Sequence, residues 1–137
     1  MTERFRKSIE TLELPRVLEL LAGEAVTTEG KERCLALLPQ TALPEVERLQ
    51  DETAAAFSLT VLHGTPPLGD VRAVGSALSR ADRGGALNTR ELLDVAGVLR
   101  SARGCKEYGG AGGDSVIAHL FTSLTANKYL EEKITAS

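Results

Sequence analysis

Few residues in this chain have the type and spacing that chemistry requires, and the most suggestive stretch is Glu107–Ser115, EYGGAGGDS. Four glycines fall within five residues and are followed by Asp114 and Ser115. Glycines ahead of a hydroxyl can gather backbone N–H groups around a phosphate, and this run invites that test. It fails on three counts. A Walker loop needs G-x-x-x-x-G-K-[ST], whose lysine reaches the terminal phosphates and whose hydroxyl binds magnesium. Here Asp114 stands where lysine is required, and its negative charge repels phosphate. The run also follows a helical pattern, whereas a phosphate loop follows a strand. The stretch therefore reads as a flexible joint over 109–113, with Asp114 or Ser115 capping the helix that follows.

The remaining reactive side chains are isolated. His63 reads as a helix C-terminal residue favoured by the dipole, and His119 as a boundary position on a later helix. Cys34 and Cys105 are far apart in sequence and have no neighbouring ligands at metal spacing, so they read as two reduced thiols. The acidic residues fall on amphipathic helix surfaces, where solvation accounts for them. Neither HExxH, an EF-hand pattern nor a CxxC pair occurs. One basic pattern remains. Arg100, Arg103 and Lys106 recur every three residues, with Arg80, Arg83 and Arg90 near the preceding turn. Such a stripe can touch a phosphate backbone, and these three residues are the candidate nucleic-acid contact. The competing reading is a solvated face balanced by acids. No catalytic, cofactor-binding or metal-ligating residue is assigned.

The elements that would position these residues are helices. Apolar positions recur at three and four residues almost throughout, and strict alternation is rare. Pro15 opens a helix with Leu14, Val17, Leu18, Leu21 and Ala25 as its stripe; SIETLEL before it is either extended or a short lead-in turn. A second helix starts near Thr28, and Gly30 in its first turn implies either a close helix–helix approach or fraying. A third runs from Pro44 to about Leu62, with Val46, Leu49, Thr53, Ala56, Phe57, Thr60 and Val61 expected inward. Asp70 is expected to cap a fourth, which Arg83–Gly85 closes. The clearest start signal is LNTREL, where Asn88 and Glu91 are a close relative of the capping box. The helix after it carries Leu92, Val95, Ala96, Leu99 and Ala102 on its expected buried stripe. A sixth helix carries Val116, Ile117, Leu120, Phe121 and Leu124, and a last segment has Tyr129, Leu130 and Ile134 at helical spacing. The expectation is an all-α assembly of six or seven packed helices in one domain over 1–137.

Composition agrees with an ordinary globular domain, at 42% hydrophobic and 26% charged residues. A net charge of -3 gives no general pull toward nucleic acid or anionic membrane. With no Trp, three Phe and two Tyr, platforms for stacking single strands are scarce. The charged N-terminus lacks the apolar core of a secretory signal, and no run of about 20 apolar residues exists to span a membrane. A cytoplasmic location is expected.

The order of segments resembles a known family. LELPRVLELLAGEAVTTEGKERCLALLP looks like the opening of the second bacterial MutS family, the MutS-like endonucleases with a C-terminal Smr domain. EVERLQDETAAAF and GTPPLGDVRAVGSALSRADRGGALNTRELLDVAGVLRSAR continue the likeness, which extends from about Thr11 to Ile134. The same succession is similar to the core of mismatch-repair MutS: a T-x-x-G helix ending in Leu-Pro, a long Gln-containing helix, then a D-x-x-x-x-x-x-L-x-R helix. The resemblance implies a core and lever region, the N-terminal scaffold of a dimeric ATPase and endonuclease that binds branched DNA, restrains homologous recombination and acts on collided ribosomes. ATP and Mg²⁺ would belong to motifs beyond residue 137, and the immediate partner of this fragment would be the rest of its own chain. The sequence departs from the family pattern at GGAGGDS. The alternative is an autonomous helical protein-interaction module.

Overall fold

Helical periodicity punctuated by Pro, Gly and capping residues produces eight α-helices and no strand in the computed structural model, which describes residues 1–137. The all-α class is as expected, with slightly more helices than the six or seven anticipated. The chain divides into two compact units, Met1–Pro39 and Gln40–Ser137.

The first unit holds α1 (Glu3–Thr11), α2 (Leu14–Glu24) and α3 (Thr28–Leu35). SIETLEL, undecided from sequence, belongs mostly to α1, whose Thr2 cap accepts a hydrogen bond from the Phe5 N–H at 3.2 Å. Glu13 breaks the chain between α1 and α2 with φ 55, the left-handed region that few side chains tolerate. Pro15 then sits in the first turn of α2, where a missing N–H costs no bond. The cap of α3 is Thr27, one residue earlier than expected. Its Oγ1 accepts from the Gly30 N–H at 2.9 Å. A Cβ at residue 30 would stand 2.8 Å from that oxygen, so the local cap, and not a neighbouring helix, explains the glycine.

The second unit holds α4 (Leu43–His63), α5 (Gly75–Asp82), α6 (Thr89–Ala111), α7 (Ala118–Thr122) and α8 (Lys128–Ala136). The long α6 is its axis, and α8 and α7 pack against it. Its start is the capping box read from sequence. The Glu91 N–H donates to Asn88 Oδ1 at 2.9 Å, and the Asn88 N–H donates to Glu91 Oε2 at 3.0 Å. The buried residues of α6 are Ala96, Gly97, Ser101, Cys105 and Gly109. Four of them recur at every fourth position and all are small, so neighbouring backbone can approach the helix closely. A Cβ at Gly97 would stand 2.9 Å from the Asp70 carbonyl oxygen, and one at Gly104 2.9 Å from Pro67 Cγ. The loop 64–74 therefore lies directly on α6, and the Tyr108 hydroxyl donates to the Gly64 carbonyl at 2.6 Å.

Three expectations need correction. Asp70 caps no helix: α5 begins at Gly75, and Asp70 instead faces α6. The glycine joint over 109–113 is half helix, because α6 continues to Ala111 and buries Gly109 against the Phe121 side chain. Only Gly112 and Gly113 form the joint, Gly113 with φ 66, and Ser115 Oγ then accepts from the Ile117 N–H at 3.2 Å. Third, α4 exposes most of the face expected to be buried; Leu59 is its only buried residue. The two helical glycines yield opposite expectations. Gly110→Ala meets nothing within 4 Å and raises stability by about 0.5–1 kcal/mol, the ordinary gain at an exposed helix site. Gly109→Ala drives a methyl into Phe121 and lowers stability by about 1–3 kcal/mol. Urea unfolding followed by circular dichroism reads both.

Candidate functional site

The basic stripe on α6 is the one sequence candidate whose members the fold brings together, and it brings them to acids. Arg103 makes a two-pronged contact with Glu131 of α8, Nη2 to Oε1 at 3.0 Å and Nε to Oε2 at 3.2 Å. Arg100 lies between two carboxylates, with Nη1 3.2 Å from Asp70 Oδ2 and Nε 3.6 Å from Glu131 Oε1. Glu131 is 6% exposed, which is rare for a glutamate and requires such pairing. The hydrogen bond from Arg103, with the charges of Arg103, Arg100 and Lys128, holds the Glu131 carboxyl below the usual carboxylate range. The Arg103 guanidinium is held correspondingly further up, chiefly by Glu131. Lys106, the third member, is exposed. The remaining arginines of the region divide: Arg80 hydrogen-bonds Glu91 and so ties α5 to the cap of α6, while Arg90 pairs with Asp94 on its own helix at 3.5 Å.

Glu131 escaped the sequence reading, which noted only Tyr129, Leu130 and Ile134 at helical spacing in this segment. Tyr129 is 73% exposed, and the helix turns its carboxylate to α6. A signal was present. The neighbours of Arg100 at three and four positions are Ala96, Gly97, Arg103 and Gly104, so no acid on its own helix can balance it.

His63 ends α4, and His119 is an exposed residue of the five-residue α7. Cys34 is half-buried in the first unit. Cys105 is buried in the second, where desolvation pushes its thiol up and disfavours the reactive thiolate. No group of three or more His, Cys, Asp or Glu side chains is placed to hold a metal ion. The first unit has an open groove of about 340 Å³ between α1, α2 and the end of α3, lined by Ile9, Leu14, Leu18, Leu35 and Leu38 among others. Glu19 is the one charged side chain on its wall, so it lacks the convergent polar groups that orient a substrate. No helix is long and apolar enough to cross a membrane.

These features define a class: an all-α packing body whose charged side chains join helix to helix. Its family follows from comparison with known proteins. The chain is 35% identical over 136 residues to the endonuclease MutS2 of Acetivibrio thermocellus, a match covering 96% of this chain and 17% of the relative. It is 39% identical over 132 residues to endonuclease MutS2 of Ruminiclostridium cellulolyticum, covering 93% of this chain and 17% of that protein. The endonuclease MutS2 of Agathobacter rectalis is 39% identical over 104 residues, 76% of this chain and 13% of its own length. No family model matches the chain. It belongs to the second bacterial MutS family, and spans about a sixth of the length of the relatives it matches most fully.

The buried carboxylate makes stability depend on pH. Its pKa is lowered in the folded chain, so the unfolded chain binds the proton first as pH falls. The contribution of Glu131 is therefore fully present above the ordinary carboxylate value of about 4.3 and disappears as pH drops through the folded value. Glu131→Gln lowers the urea midpoint at pH 7 and narrows the gap between midpoints at pH 7 and pH 3. An unchanged gap would remove Glu131 as the source of the acid sensitivity.

Proposed function

We propose that this chain is a helical scaffold segment, core and lever, of a MutS-like ATPase and endonuclease, and that the segment itself is non-catalytic. On this reading, binding of ATP and Mg²⁺, nuclease action, homodimer formation, recognition of branched DNA, restraint of homologous recombination and contact with rRNA on collided ribosomes are activities of the whole protein. The supporting observation is that Arg100 and Arg103, the candidate nucleic-acid contacts, pair with carboxylates of loop 64–74 and α8, in a chain matching about a sixth of a relative named endonuclease MutS2. Helices tied in this way move as a stiff body, which suits an element that passes a rotation from one part of a protein to another.

A nucleic-acid contact through Arg100, Arg103 and Lys106 is the finer part of the proposal, and the geometry grades its members. Lys106 can meet a phosphate from where it stands, whereas Arg100 and Arg103 would have to exchange Asp70 and Glu131 for it.

Two titrations test the proposal. In calorimetry with Mg·ATP the 137-residue chain gives no saturable heat; saturable ATP binding by this chain would overturn the scaffold reading. On branched DNA at 0.15 M salt it binds no tighter than the non-specific range of about 10⁻⁴–10⁻⁶ M, and Lys106→Ala lowers the salt slope by about 1. A slope untouched by Lys106→Ala removes that residue from the contact.

A further inference from the structure

The surface of the chain is too large for its mass. A folded monomer of this mass exposes about 6,900 Å², and two separate bodies of the sizes of its units expose about 8,200 Å² together. The chain exposes 10067 Å². Against two separate bodies the excess is about 1,900 Å², within one partner's share of an obligate interface, about 1,000–2,500 Å².

Part of it lies on α4. The extensive helix pairs of the chain join α6 to α8 and α7, α2 to α3 and α1 to α2; α4 takes part in none. Its C-terminal half, Thr53–Leu62, is ten residues without a charge. Leu59 is buried beside Gly112, but Phe57 is 72% exposed, Val61 67% and Leu62 75%. At 100° per residue, Phe57 and Leu62 lie about 140° apart around the helix axis, so the exposed arc exceeds a single stripe. A charge-free segment with so wide an exposed arc of large apolar side chains belongs against another apolar surface. The N-terminal half carries Glu45, Glu47, Arg48, Asp51 and Glu52, with Arg48 2.6 Å from both Glu45 and Glu52, and reads as a solvated surface. The need for cover stops where the charges begin.

We infer that the charge-free half of α4, centred on Phe57, Val61 and Leu62, seats an apolar helical stretch of about three turns supplied by the part of the polypeptide that the relatives carry outside the matched sixth of their length. The inference rests on the scaffold reading above and names the surface through which the scaffold joins the rest. The relatives carry about five-sixths of their length outside the match, which can supply further cover where one helix leaves the arc open, as a single two-fold contact between copies of this chain cannot. The charge-free wall selects an occupant without buried charge, since an unpaired ion there has no partner.

The test compares amide hydrogen exchange in the 137-residue chain and in a chimera where this chain replaces the matched segment of the Acetivibrio thermocellus relative. Peptides covering 53–62 are expected to exchange at least about ten-fold more slowly in the chimera. The double substitution Phe57→Asp, Val61→Asp is expected to abolish that gain while leaving α6 peptides protected. Equal exchange of 53–62 in both proteins, with α6 protected in both, overturns the seat on α4 and leaves the scaffold reading standing. A chimera from which limited proteolysis releases this segment intact overturns both. Protection of 53–62 in the isolated chain that appears only as sedimentation shows a dimer gives the surface to a second copy and overturns the inference.

Discussion

Close approach to α6 is the constraint on which the second unit depends. Gly97, Ser101, Cys105 and Gly109 present one turn after another of small side chains. Gly97 makes room for the Asp70 carbonyl and Gly109 for the Phe121 ring, while Gly104 beside the line admits Pro67. Were these positions leucine, loop 64–74 and α7 would be held several ångströms further out. Tyr108 would then lose its bond to Gly64, and Arg100 its reach to Asp70. The ion pairs of this unit are therefore a consequence of its packing. Dispersion contacts at short range position the guanidinium groups, and the carboxylates meet them there.

That dependence explains which parts of the architecture could be read in the sequence. Local signals were legible because their physics is local. The Asn88–Glu91 box, the proline in the first turn of α2 and the left-handed glycine at 84 each follow from backbone groups within four residues. The inward face of α6 was only partly legible. A hydrophobic pattern marks Val95, Ala96, Leu99 and Ala102, but glycine and serine do not register as core, and the line that decides the packing is made of them. The glycine run after Tyr108 misled for the same reason. Gly109 is a packing residue inside a helix, whereas Gly113 is a true turn residue, and composition cannot separate the two.

The candidate site shows the complementary failure. Arg100 and Arg103 were identified as a face, but Asp70 lies 30 residues from Arg100 and Glu131 lies 28 from Arg103, beyond any periodic pattern. On α4 the hydrophobic pattern pointed inward correctly as chemistry and wrongly as geometry, because the chain offers that helix almost nothing to face. Periodicity reports that a surface needs cover; it does not report what supplies it.

The long separation between Arg103 and Glu131 also sets an order of events during synthesis. At about 5–20 residues per second, α6 is complete for roughly 1–4 s before the carboxylate that balances it has been made. Throughout that interval Arg103 is a cation without Glu131. The pair between α6 and α8 can therefore close only after the whole of α8 has been added.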